Sequence, residues 1–196
     1  MSHRPQRLIV GISGASGAIL GIRLLDALRQ DDSIETHLIL TEAARITIVQ
    51  ETTWKVSDVE ALADVVHKPG NIGASIASGS FATMGMVIAP CSIKSLSAIA
   101  HSHADDLLTR AADVQLKEGR PLVLVVRESP LHLGHLRLMV QAAEIGAVIL
   151  PPMPAFYSRP QSVDDMINGI VGRILLRLGI DNDLYFEWLG LRGNPQ

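Results

Sequence analysis

The chain has 196 residues, of which 47% are hydrophobic and 19% charged but only 4% aromatic, and its formal net charge is −3. That length favours one domain with its own core, whereas the slight acidity and the scarcity of rings argue against nucleic-acid binding, which needs a basic footprint and base-stacking platforms. The single cysteine, Cys91, excludes an internal disulfide framework and a multi-cysteine metal site, and it fits a reducing cytoplasm.

Residues 1–7 are basic and expected to be flexible, and an apolar run with glycines follows them rather than a signal segment. No apolar stretch approaches the ~20 residues of a membrane span. Five short aliphatic runs, 8–12, 36–40, 86–89, 122–126 and 147–150, are nearly continuous in Val, Ile and Leu. Such runs mark strands buried on both faces of a parallel sheet.

Segments of helical periodicity separate the runs. Residues 19–28 place Leu20, Leu24, Leu25 and Leu28 on one side, and Thr41 caps a segment to Gln50. Ser57 with Glu60 reads as a capping box for a short helix reaching Val65. Residues 68–83, rich in Gly, Ala and Ser, read as an exposed loop. Residues 92–100 and 105–116 form two helices in tandem. Pro130 opens a helix to Ile145 with Gly146 as its stop, Pro151, Pro152 and Pro154 stiffen the chain after the fifth run, and Ser162 caps a last helix to Leu178. Strands alternating with helices predict an α/β doubly wound parallel sheet, a flavodoxin-like, Rossmann-type three-layer sandwich formed by one domain over 1–196 with a tail from residue 180.

In such sheets ligands bind beyond the carboxyl ends of the strands. The first run ends in Gly11-Ile12-Ser13-Gly14-Ala15-Ser16-Gly17-Ala18, spaced GxxGxxG rather than GxGxxG. It is either a tight turn or a cradle of N–H groups for an anion or cofactor at a helix N-terminus. Ser92, Lys94 and Ser95 open a helix after the third run, either as a cap or as a phosphate grip. Arg127 and Glu128 follow the fourth run, as site groups or as an ion pair between subunits. Glu51 ends a helix, where the dipole disfavours a carboxylate. The His101–His103 and His132–His135 spacings lack an acidic or cysteine partner for a metal, and Cys91 reads as a small buried thiol.

The segments Gly11 to Ala18, Ala89-Pro90-Cys91-Ser92-Ile93-Lys94-Ser95, Leu107-Leu108-Thr109-Arg110-Ala111-Ala112-Asp113, Pro121 to Glu128 and Pro154-Ala155-Phe156-Tyr157 resemble the UbiX family of flavin prenyltransferases, which includes the small subunit associated with phenolic and hydroxyaryl acid decarboxylases. The resemblance runs from about Leu8 to Trp188. It implies a dodecameric flavoprotein, with active sites at subunit junctions, that moves a dimethylallyl group from dimethylallyl monophosphate to reduced FMN. The product, prenylated FMN, passes to a UbiD-type decarboxylase.

Carried onto this sequence, the resemblance places Gly14, Ala15, Ser16, Thr41, Ser92, Ile93, Lys94, Ser95 and Arg127 at the flavin. It places Lys117, Arg127, Tyr157 and Arg173 at the donor phosphate, the last pair from a neighbouring subunit. Glu51 and Glu128 are the acid–base candidates, with Ser16 as relay, and Trp188 closes over the site. Where the family often reads Lys-Glu-Arg-Arg-Pro, this chain has Gly119 in place of one basic residue. The absence of a DDxxD magnesium cluster suits a monophosphate and a metal-free reaction. Two rival readings are a non-catalytic flavin-binding subunit of an aromatic acid decarboxylase and a flavin-dependent cysteine-type decarboxylase. All the aromatic residues (Trp54, Phe81, Phe156, Tyr157, Tyr185, Phe186 and Trp188) fall outside the five runs, and are expected to wall the site.

Overall fold

The computed structural model describes residues 5–190; residues 1–4 of the expected flexible terminus and 191–196 of the expected tail lie outside the described residues. Six parallel strands build one sheet: β1 (Gln6–Ile12), β2 (Ile34–Leu40), β3 (Val65–His67), β4 (Gly85–Cys91), β5 (Leu122–Val126) and β6 (Val148–Ile149), in the order β3-β2-β1-β4-β5-β6. The five aliphatic runs fall on β1, β2, β4, β5 and β6, and β3 is an additional short strand. Leu8, Val10 and Ile12 pack on one face with α1 (Ala18–Leu28), α2 (Glu42–Glu51), α3 (Val56–Glu60) and α7 (Val163–Arg177). Ile9, Ile39 and Ile88 pack on the other with α4 (Ile93–Ala100), α5 (Leu107–Lys117) and α6 (Leu133–Glu144). A strand covered on both sides has few positions for a polar residue, which is why the runs do not alternate; Thr36 and His37 of β2 are buried exceptions whose polar atoms are bonded to Asp64 and Glu35. Arg23 of α1 ties down α7 through Asn168 and Asp164, both at 2.8 Å.

The chain winds from β1 to β2 and β3 on one side and crosses back to β4 beside β1 on the other. The reversal between β1 and β4 leaves a crevice at their carboxyl ends, the place where doubly wound sheets bind ligands.

Four local expectations are corrected. α3 begins at Val56 with Lys55 at its cap, and the Ser57 hydroxyl turns to the Asp58 carboxylate, so there is no capping box. The helix stops at Glu60, and Val65 belongs to β3, which Asp64 fastens to β2 by accepting both the N–H and the hydroxyl of Thr36. α6 starts at Leu133 rather than Pro130, because the His132 imidazole accepts the Gly134 N–H at 3.0 Å and caps it there. Segment 68–83 is not simply exposed: Ile76 is 1% exposed in a 3-10 turn over Ser75–Ala77, and the Arg120 guanidinium holds the Gly79 and Phe81 carbonyls.

Candidate functional site

Ser13 joins the two loops that flank the crevice. Its N–H and its hydroxyl both donate to the Pro90 carbonyl, at 3.2 and 2.9 Å, and its hydroxyl oxygen accepts the Ser92 N–H at 2.7 Å. Ser13 is 1% exposed, so these bonds form out of water, where an unmade one is costly. The sequence shows a serine here but not which strand end it reaches, so its role was not legible. Gly14 lies against Ala43 of α2, and a Cβ on it would overlap the Ala43 methyl; only glycine lets the first loop approach that closely.

A cleft of about 360 Å³ opens at this point, lined by Ser13, Gly14, Thr41, Ser92, Lys94 and Ser95, with Asp106 and Thr109 on its far side. The N-termini of α2, α4 and α5 converge on it. Thr41 caps α2 through the Ala44 N–H, Ser92 caps α4 through the Ser95 N–H, and Asp106 forms a capping box with Thr109. Converging helix N-termini favour negative charge. The cap and ligand readings of Ser92 are therefore not exclusive: its hydroxyl caps the helix and also lines the cleft. Ala15 is buried beneath the loop, and Ile93 starts α4, packing on the core beside the exposed Lys94.

Glu51 closes the next turn of the same loop. Its carboxylate accepts the N–H of Gly17, which takes the positive φ of 98° at the N-terminus of α1. Burial is the largest single influence on this carboxyl and would raise its pKa. The Gly17 N–H, the Ser16 hydroxyl, the Ala18 N–H and the charge of Arg127 outweigh burial and hold it below the ordinary value. Arg127 leaves β5 with its N–H on the Cys91 carbonyl at 3.1 Å, beside β4. Glu128 is exposed and turns its carboxylate back onto the Ser129 N–H at 3.0 Å.

Tyr157 and Arg173 come together in a second group. Tyr157 sits in a 3-10 turn over Phe156–Ser158 after β6, its hydroxyl 3.3 Å from that of Tyr185 and its ring 5.4 Å from Trp188 and 6.3 Å from Phe186. The Arg173 guanidinium lies over the Tyr185 ring, 4.8 Å from its centroid. Among the described residues this group makes no hydrogen bond or ring contact with Glu51 or Arg127.

The structure separates Lys117 from these groups. It ends α5, paired with Glu118 and next to Gly79, ahead of the first residue of β5. Arg127 follows the last residue of that strand, about 16 Å along it at ~3.3 Å per residue. Within one chain Lys117 and Arg127 therefore stand at opposite edges of the sheet. Two aromatic residues depart from expectation as well: Trp54 packs on the core under α2 and α3, and Phe81 meets the Arg7 guanidinium and the His37 ring at the amino edge. Among the described residues no group of three His, Cys, Asp or Glu is placed to hold a metal ion. No helix of the described residues is long and apolar enough to cross a membrane.

A family model described as Flavoprotein matches residues 1–175. The flavin prenyltransferase UbiX of Escherichia coli (strain K12) is 65% identical over 187 residues, which cover 94% of this chain and 99% of that protein. A crystal structure of AnUbiX (PadA1) in complex with FMN and dimethylallyl pyrophosphate superimposes with a TM-score of 0.94 at 46% identity, covering 96% of this chain and all of that one (100%). A dodecameric FMN-dependent UbiX-like decarboxylase from Escherichia coli O157:H7 superimposes at 0.92 with 48% identity, covering 94% and 100%.

Proposed function

This chain belongs to the UbiX flavin prenyltransferases within the flavoprotein family, and from that membership we propose how its residues divide the work. The enzyme transfers a dimethylallyl group from a dimethylallyl phosphate to reduced FMN. The prenylated FMN so formed serves a UbiD-type decarboxylase. The donor we assign is the monophosphate, and the working assembly is a dodecamer in the cytoplasm, where the lone thiol stays reduced.

The observation that carries the assignment of roles is the crevice between β1 and β4, with Ser16, Glu51 and Arg127 gathered at the turn beside it. Its residues fit FMN: the volume lies within the range of about 300–1,000 Å³ usual for ligand pockets, the Gly14 contact leaves no room for a side chain, and hydroxyls and helix N-termini suit a phosphate monoester. Gly14, Ala15, Ser16 and Thr41 hold the cofactor from one side, and Ser92, Ile93, Lys94 and Ser95 from the other. Reduced flavin supplies the nucleophile when it is bound.

Arg127, with Tyr157 and Arg173 of a second copy, grips the donor phosphate and stabilises the charge it gains on departure. Glu51, ionised and turned to the Ser16 hydroxyl, accepts a proton through that relay, and Glu128 stands at the mouth as the second acid–base group. Lys117, remote from Arg127 within one chain, joins this grip from another copy.

Purified protein, reduced FMN and dimethylallyl monophosphate in EDTA test the reading. The expected result is a mass gain of one prenyl unit on the flavin, with a weaker gain from the diphosphate. Flavin that keeps its mass with both donors sinks it. A gain that requires added magnesium removes the metal-free assignment.

A further inference from the structure

On the reading that Tyr157 and Arg173 hold the donor phosphate, we infer that Tyr185 is a positioning residue that orients both of them. Tyr157 belongs to the turn after β6 and Arg173 to the middle of α7, and a phosphate grip needs both to aim at one point. Among the described residues, Tyr185 touches both: its hydroxyl meets that of Tyr157, and its ring lies under the Arg173 guanidinium. A guanidinium over an aromatic face is held by the ring's charge distribution and loses less freedom when it later binds an anion.

The fold seats Tyr185 deliberately. A Cβ on Gly172 would lie 2.5 Å from the Tyr185 nitrogen and 2.8 Å from the Asn182 carboxamide oxygen, so glycine makes a notch in α7 that the returning chain fills. Asn182 fastens the return: its amide donates to the Gly172 carbonyl at 3.2 Å, and its oxygen accepts the Leu184 N–H at 3.1 Å. Tyr185 is the next residue, delivered beside Arg173 one residue further along the helix. The same return brings Trp188 edge-on to Tyr157. The Tyr185 hydroxyl is the first among the influences that raise the Tyr157 phenol pKa, ahead of burial and of the Tyr185 charge, while Arg173 opposes them.

The test compares Y185F, Y157F and R173Q in the assembled enzyme. Y185F keeps the ring under Arg173 and deletes only the hydroxyl. It is expected to raise the KM for dimethylallyl monophosphate by about 2- to 10-fold, the worth of one net hydrogen bond, with the KM for FMN and the thermal midpoint unchanged. The alkaline limb of the pH profile should move to lower pH as the Tyr157 phenol is released. Y157F and R173Q should raise the donor KM further. If Y157F and R173Q raise it while Y185F moves neither donor KM nor the limb, the positioning role falls and the grip stands. A parallel rise in the KM for FMN or a fall in the midpoint makes Tyr185 merely structural and also overturns the role. If Y157F and R173Q leave the donor KM untouched, the grip itself is wrong, and the role of Tyr185 with it.

Discussion

The Glu51 carboxylate accepts the Gly17 N–H at 2.8 Å, so the last residue of α2 caps the first turn of α1. A carboxylate at the end of its own helix is unfavourable, but here it faces the positive end of another. Glu51→Gln keeps the shape and removes the base. We expect it to bind FMN as the parent does and to turn over roughly 100-fold more slowly, at the lower end of general acid–base effects. Stopped-flow turnover and flavin titration check this, and parental turnover removes Glu51 from the chemistry.

The same residue gives a stability prediction with a definite sign. Its pKa in the folded protein is depressed below the ordinary value of 4.5. A depressed carboxylate contributes stability that is fully present above the unfolded pKa and is lost as pH falls through the folded one. The difference in urea stability between parent and Glu51→Gln should therefore be flat between about pH 6 and 8, and shrink once the pH drops below the usual carboxylate range near 4. A difference that grows on acidification would reverse the assignment.

How much of this was legible in the sequence follows from what each signal depends on. Strands β1, β2, β4 and β5 announced themselves because burial on both faces leaves an aliphatic run, and β6, a half-buried edge strand, was found because its run is still aliphatic. β3 did not: Val65, Val66 and His67 are half-exposed at an edge, and Val65 was read as the end of a helix from Ser57. The carboxyl ends of the strands were legible as the ligand side because that follows from the alternation of strands and helices alone, and Thr41 and Ser92 cap where their spacing predicts. The distance between Lys117 and Arg127 within one chain was not legible, because a helix and the strand after it are close in sequence, yet the two ends of that strand open on opposite edges of the sheet. Phe81 and Trp54 show the same limit, since composition reveals scarce rings but not which edge holds them. Ser13 and Tyr185 act through contacts with residues 77 and 28 positions away, which no local pattern encodes.

Ser13→Ala deletes the acceptor of the half-buried Ser92 N–H and the staple between the β1 and β4 loops. One unsatisfied buried group costs about 1–3 kcal/mol. In a protein of this size, that lowers the melting temperature by roughly 2–10 °C. Because both loops line the crevice, FMN affinity should fall along with stability. Calorimetry and flavin fluorescence measure the two, and an unchanged FMN affinity would mean that the staple serves the fold alone.

Gly14→Ala puts a methyl group against Ala43. Overpacking of this kind typically costs about 1–3 kcal/mol, and here relief requires moving the first loop away from α2. FMN binding should weaken by about tenfold or more, while Gly70→Ala, which meets open space, serves as the control and should leave binding unchanged. Equal binding by the two variants would place the flavin away from this loop.

Cys91 tests the division between site and core. It is the last residue of β4 and adjoins Ser92 at the crevice, yet its side chain points into the core with 0% exposure. Burial pushes its thiol up to about 12. Only about one molecule in 10⁴ would carry the thiolate at pH 8, and the thiolate is the reactive form. Ellman's reagent should therefore find no reactive thiol in the native enzyme and one per chain in denaturant. Cys91→Ala should keep prenyl transfer within about twofold of the parent, since it removes one buried sulfur and no group that faces the crevice. Rapid native labelling accompanied by loss of activity would mean that the end of β4 opens to solvent, and that Cys91 belongs to the site after all.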